Sequence, residues 1–255
     1  MRAIFYINNM LVSNKHQLIH IKIPKTGSAF FTSFLVNNFD FKSAHNNIHE
    51  YFSLTEKGMY RFCESGKELF DIDQHFLTKD DWLSFKKMAI VRNPYQKFVS
   101  AFLHFKRLSA ARNHVILQYG KESVPDEPHL NSLSAFIEYE ESAHPPAYCH
   151  AFISQYDHLV AEDGEIHIDY VLKFENLYDD VSKALKTATT IDVETIESVC
   201  NESKTIDFGK TNYAEYYSEM SLAYINTKFK KDFDRFEYAM YNTLDELKQA
   251  QITPV

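Results

Sequence analysis

Short alternating apolar runs and longer stretches with apolar residues every three or four positions take turns along this chain. The first rhythm is that of a strand, the second that of a helix. Gln17 to Ile23 reads as a strand. Ser28 to Val36 reads as a helix, with Phe30, Phe31, Phe34 and Leu35 on its apolar side and Asn37-Asn38 closing it. Residues 40–70 are weakly patterned. Lys79 to Phe85 is predicted helical, and Met88 to Val91 a short apolar strand. Another helix follows, with Asn93 as N-cap, Pro94 at the first helical position and a stripe of Tyr95, Phe98, Val99, Phe102 and Leu103. Residues 108–130 are polar, contain Pro125 and Pro128, and read as a surface excursion. Leu133 to Glu141 is helical until His144-Pro145-Pro146 breaks the pattern; Ile168 to Phe174 is a strand and Leu177 to Ala188 a helix. Helical patterns recur at 192–201 and 214–231. Strands alternating with helices predict an α/β fold, a central parallel sheet flanked by helices, as one domain over residues 1–255.

Two strand ends carry candidate chemistry. After Ile23 comes Pro24, then Lys25, Thr26 and Gly27, and the helix begins at Ser28. An ammonium group in a tight turn, followed by the unpaired N–H groups of a helix start, is suited to an anion such as phosphate or sulfate. The chain has only 6 glycines, and one lies in this turn. The turn is not a GxxxxGK[ST] loop, which counts against a nucleotide kinase. The second strand ends at Val91, and Arg92-Asn93-Pro94 follows. Arg92 can grip an anion with its planar fork, and Ser100, off the apolar stripe, can add one hydrogen bond. The plain alternatives are a surface lysine in an ordinary turn, an arginine paired with a carboxylate and a solvated serine. Ligands of open α/β sheets bind at the carboxyl ends of strands, where Lys25 and Arg92 both fall.

Composition narrows the ligand. The formal net charge is -8, from 27 Lys+Arg against 35 Asp+Glu. A general nucleic-acid binder is normally basic, so that class is disfavoured and positive charge must be local. Cys63, Cys149 and Cys200 are odd in number and widely spaced, which suggests neither a disulfide framework nor a zinc site. The short apolar run Ala3 to Ile7 is interrupted by Asn8-Asn9 and is too short to span a membrane. No signal-peptide pattern is evident, and the expected compartment is the cytoplasm.

The two strand ends also resemble a known family. His20-Ile21-Lys22-Ile23-Pro24-Lys25-Thr26-Gly27-Ser28 is similar to the 5′-phosphosulfate loop of sulfotransferases. Ile90 to Phe102 is similar to their 3′-phosphate motif. The resemblance is to carbohydrate sulfotransferases, the group of the heparan 2-O and chondroitin enzymes and their bacterial relatives. Gln155 to Leu159, Val171 to Leu177, Tyr216-Tyr217 and Lys231 to Tyr238 agree in the same order, so the likeness runs from about residue 17 to 240. It implies a P-loop-like three-layer fold, the donor 3′-phosphoadenosine 5′-phosphosulfate (PAPS, leaving PAP) and no metal. Carried over by position, Lys25 and the backbone of Thr26, Gly27, Ser28, Ala29 and Phe30 would hold the 5′-phosphosulfate, and Arg92 and Ser100 the 3′-phosphate. Ala29 stands where the family often has a hydroxyl residue, and Gln96-Lys97 replaces a common Asp-Arg.

The expected reaction is in-line transfer of a sulfuryl group to a hydroxyl or amine of a saccharide or glycolipid, with Lys25 stabilising the leaving phosphate. A general base is then needed, and histidine suits it. Among 12 histidines, His75 is the candidate, because its place resembles that of the catalytic histidine of the heparan 2-O relatives. His49, His144 and His150 are lesser ones, and Lys210 and Tyr213 could close over the nucleotide. Residues 40–70 and 105–150 are the expected acceptor-site excursions. Family members of the Golgi carry a membrane anchor, and no such anchor is expected here. Another P-loop-like phosphotransferase and a non-catalytic nucleotide-binding protein are the competing readings.

Overall fold

The structure, a computed structural model, describes residues 10–43, 79–110, 127–142, 152–161, 163–204 and 212–252. In chain order its elements are β1 (Met10–Ser13), β2 (Leu18–Ile21), α1 (Ser28–Asn38), β3 (Lys42–Ser43), α2 (Lys79–Ser84), β4 (Lys86–Val91), α3 (Pro94–Ala110), α4 (Leu133–Ser142), α5 (Gln155–Leu159), β5 (Tyr170–Lys173), α6 (Leu177–Ala188), α7 (Val193–Ser203), α8 (Glu219–Lys228), α9 (Lys230–Phe236) and α10 (Leu244–Ile252). The described residues fall into two compact units. One takes those of Ile4–Val91 and Gln155–Phe208, the other those of Arg92–Ser154 and Gly209–Val255.

The first unit holds a five-stranded sheet of order β3-β1-β2-β4-β5. β2, β4 and β5 run parallel, with Ile19 opposite Lys87 and Ala89 opposite Val171. The expected parallel core is therefore present; β1 extends it antiparallel to β2, and β3 pairs antiparallel with β1. β1 follows from a turn that the sequence pattern hides. Gln17 has φ 50, in the left-handed region, and its N–H donates to the Asn14 carbonyl, so the chain doubles back at 14–17. The strand predicted from Gln17 accordingly starts at Leu18. Leu18, Met88, Ile90 and Leu172 pack with Phe31, Phe34 and Leu35 of α1 and with Leu177, Val181 and Leu185 of α6. Ile19, Ile21, Ala89 and Val91, which alternate with them, are also fully buried, as parallel strands usually are on both faces.

His20 is a polar exception within this core. Its ring is wholly buried, meets Phe31 edge-on at 4.8 Å, and neither nitrogen has a hydrogen-bond partner among the described residues. Burial is the main cause that pushes its pKa down to about 3, and the Met88 backbone opposes that shift. The sign follows. The unfolded chain binds this proton below about pH 6.5 and the folded chain does not, so stability falls as pH drops from about 6.5 toward 3. The slope from this group approaches about 1.4 kcal/mol per pH unit. His20→Phe is expected to flatten that acid limb, measured as urea midpoints between pH 7 and 4; an unchanged limb would remove His20 as its source.

The second unit is built on α3. Its N-terminus forms as predicted: the Asn93 side chain accepts from the Tyr95 N–H at 3.0 Å, and the Asn93 carbonyl takes the Lys97 N–H at 2.9 Å. Tyr95, Phe98, Val99, Phe102 and Phe105 are buried against Phe136, Phe152, Ile225, Phe229 and Phe233. The pattern over 214–231 does not form one helix. It divides into a short 3-10 turn at Tyr213–Tyr216, α8 and α9, because Ser218 and Ser221 cap one another's backbone and start α8 afresh. Two stretches that resemble the family pack here. The Tyr217 hydroxyl donates to the Tyr95 carbonyl at 2.9 Å, and Phe233 lies 4.9 Å from the Tyr95 ring. Lys97, in the departing Gln96-Lys97 pair, is buried. Its ammonium donates to the Ile153 carbonyl at 3.0 Å and lies over Phe229, and burial lowers its pKa to about 8 while Asp232 opposes the shift.

Candidate active site

β2 ends at Ile21, and the chain passes through Lys22 and buried Ile23 to Pro24. Lys25 then takes φ 69 and Gly27 φ 86, both left-handed, on either side of Thr26. Thr26 is fully buried and its hydroxyl donates to the Ile23 carbonyl at 2.9 Å, which pins the middle of the turn. Phe31 N–H donates to the Gly27 carbonyl at 3.1 Å, the first turn of α1. The N–H groups of Ser28, Ala29 and Phe30 precede that bond and have no intrahelical acceptor. No acidic residue occupies the first turn of α1, so no carboxylate of that turn competes for its dipole. Successive N–H groups in a turn with left-handed residues form a concave anion seat.

Phe174 supports this turn from the end of β5. A β-carbon on Gly27 would stand 2.5 Å from the Phe174 ring, so only glycine fits the contact as well as the φ. Asp180 of α6 accepts from the Lys173 N–H at 2.9 Å and ties the same strand end down. Within the Phe174-Glu175-Asn176-Leu177 stretch, Phe174 thus acts through packing on the loop.

In the second unit Arg92 is 8% exposed. Its Nη2 donates to the Tyr213 hydroxyl at 2.6 Å, its Nε meets the Gln96 side-chain oxygen at 3.5 Å, and its guanidinium lies 5.6 Å from the centre of the Tyr213 ring. Gln96 and Ser100 continue from Arg92 at steps of four, which places them on one side of α3. Ser100 is half-buried, as its position off the apolar stripe predicts. Tyr213 is therefore a partner of Arg92. β2 and β4, the strands that lead to Lys25 and to Arg92, are parallel neighbours. His75, His49, His144, His150 and Lys210 lie outside the described residues, as do Cys63 and Cys149. Among the described residues no group of His, Cys, Asp and Glu is placed to hold a metal, and no helix is long and apolar enough to cross a membrane.

The sequence profile described as "Sulfotransferase family" matches residues 8–239, nearly the whole chain and both strand ends. The chain belongs to the sulfotransferase family. Its chemistry is sulfuryl transfer, and its mixed α/β sheet with helices is the P-loop-like arrangement of such enzymes. No curated protein and no solved structure matches this sulfotransferase. Sequence reasoning missed the buttress at Phe174, for which the only signal was the likeness of the stretch that contains it.

Proposed function

We propose that this sulfotransferase moves the sulfuryl group of PAPS to a hydroxyl or amine of a saccharide or glycolipid. The observation that supports the donor best is the Lys25 turn: an ammonium, two left-handed residues and a helix whose first turn holds no acidic residue make a seat suited to an anion. A phosphosulfate fits that chemistry, and a cation does not. PAPS supplies an activated sulfuryl group on a phosphate leaving group. Lys25 and the backbone of Thr26 to Phe30 hold the 5′-phosphosulfate and stabilise the negative charge that grows on the bridging oxygen. Arg92 and Ser100 hold the 3′-phosphate, with Tyr213 and Gln96 orienting the guanidinium fork.

PAP is expected to raise Tm more than ATP or AMP at equal concentration, by mass action on the folded state. Stronger stabilisation by ATP would favour the phosphotransferase reading. Arg92→Ala is expected to weaken PAP roughly tenfold to a hundredfold while AMP, which lacks the 3′-phosphate, changes little. An equal loss for both nucleotides would take Arg92 out of that role.

The acceptor base in this proposal is His75. His75→Ala is expected to lower turnover by about 10²- to 10⁴-fold with PAP stabilisation intact. Retained turnover would pass the role to another histidine. A transfer assay with labelled donor across glycans, glycolipids and small alcohols identifies the acceptor, and transfer only to small alcohols would remove the saccharide assignment.

A further inference from the structure

The first unit contains a cavity of about 470 Å³ apart from the Lys25 turn. It lies largely at the amino ends of β4 and β5, whereas the Lys25 turn follows the carboxyl end of β2. Its volume falls in the range of small-molecule sites, ~300–1,000 Å³. Ile21, Trp82, Phe85, Leu159 and Ile166 give it apolar walls, and Lys87 is its buried polar group. By strand register Lys87 shares a sheet face with Ile19 and Ile21, opposite the face covered by α1.

The charges around the cavity are unequal. Lys86, Lys87 and Asp169 line it. Asp169 is engaged twice already: one oxygen accepts from the Lys86 ammonium at 2.8 Å, the other from the Lys87 backbone N–H at 2.9 Å. The Lys87 ammonium makes one side-chain hydrogen bond among the described residues, to the Phe85 carbonyl at 3.0 Å, and lies 5.1 Å from the centre of the Trp82 ring. Lys87 is only 7% exposed, and burial is the main cause that lowers its pKa. Two ammonium groups thus face one carboxylate. A buried charge without a full partner is costly, and a bound anion would relieve it. An anion on an apolar body would also remove the aliphatic and aromatic walls from water.

We propose that this cavity is a second ligand site, taking a small organic anion, a carboxylate or a sulfate ester on an apolar body, with Lys87 as its anchor and Trp82 as its wall. A sulfate ester is the product class of the family's reaction, and a carboxylate is not, so the better ligand tells product binding from a separate effector.

Trp82 is the single tryptophan of the chain, so its fluorescence reports on this wall alone. The full-length protein is titrated with phenyl sulfate, benzoate and benzyl alcohol. Saturable changes with the two anions at half-points below about 1 mM, and a response to benzyl alcohol at least tenfold weaker, are expected. Lys87→Gln, which keeps an amide donor for the Phe85 carbonyl, is expected to raise the anion half-points about tenfold or more. Lys25→Ala should leave them unchanged. Equal response to the neutral alcohol, an unsaturable response, unchanged half-points in Lys87→Gln, or loss of the response in Lys25→Ala would each overturn the site. Calorimetric titration of Lys87→Met with phenyl sulfate checks the result without the fluorophore: retained heat at the wild-type midpoint would overturn it as well.

Discussion

Lys25→Gly and Lys25→Ala are both expected to lower kcat by about 10²- to 10³-fold, the usual loss when a group that stabilises charge in the transition state is removed. The two variants differ in another respect. Lys25 sits at φ 69, where a β-carbon is disfavoured by about 1–2 kcal/mol. Glycine at 25 relieves that strain and alanine keeps it, so the glycine variant should be the more stable of the pair by about 1 kcal/mol in urea unfolding. Equal inactivity with unequal stability would assign the loss to the ammonium group and not to a collapsed turn. Lys25→Arg keeps the charge on a planar, longer group and should recover only part of the rate. Activity within a few-fold of wild type in Lys25→Gly would remove Lys25 from the chemistry. If activity followed stability across the three variants, the turn would be structural alone.

The strained lysine also shows which parts of the site could be read from the chain. Pro24 and Gly27 bracket a turn between an apolar strand and an apolar helix, and local residue chemistry decides both boundaries, so this element was legible. The same holds for α3, where Asn93 and Pro94 fix the start and the stripe from Tyr95 onward fixes the buried side. Elements that depend on distant partners were not. β1 is four buried residues with no long alternation, and it exists because β2 and β3 pair with it. The split between α8 and α9 rests on Phe229, which ends α8 while its ring fills the core of the second unit, so one apolar pattern runs through two helices. The Tyr213 contact with Arg92 spans 121 residues, and no local rule links them. The cavity walled by Trp82 and Ile166 has the same character, since its lining comes from segments some eighty residues apart.

Gly27→Ala is the corresponding expectation for the fold. Two penalties apply at one atom. The β-carbon would occupy a left-handed residue with φ 86, at about 1–2 kcal/mol, and would stand 2.5 and 2.7 Å from two carbons of the Phe174 ring, at about 1–3 kcal/mol of overpacking. The strain cannot be shed outward, because the turn is pinned on one side by the Thr26 hydroxyl on the Ile23 carbonyl and on the other by the Phe31 N–H on the Gly27 carbonyl. Either the ring or the start of α1 must move, and moving α1 shifts the N–H groups proposed to hold the phosphosulfate. PAP stabilisation should therefore fall along with the urea midpoint. Phe174→Ala makes room for the new β-carbon but leaves φ unchanged. In a double-mutant cycle Gly27→Ala with Phe174→Ala should be less destabilised than the sum of the single changes by about 1–2 kcal/mol, with the backbone part of the Gly27→Ala loss persisting. Strict additivity would mean that ring and turn do not press on one another. Full recovery would mean that the left-handed backbone costs nothing there, and the packing of Phe174 alone would then be what keeps position 27 a glycine.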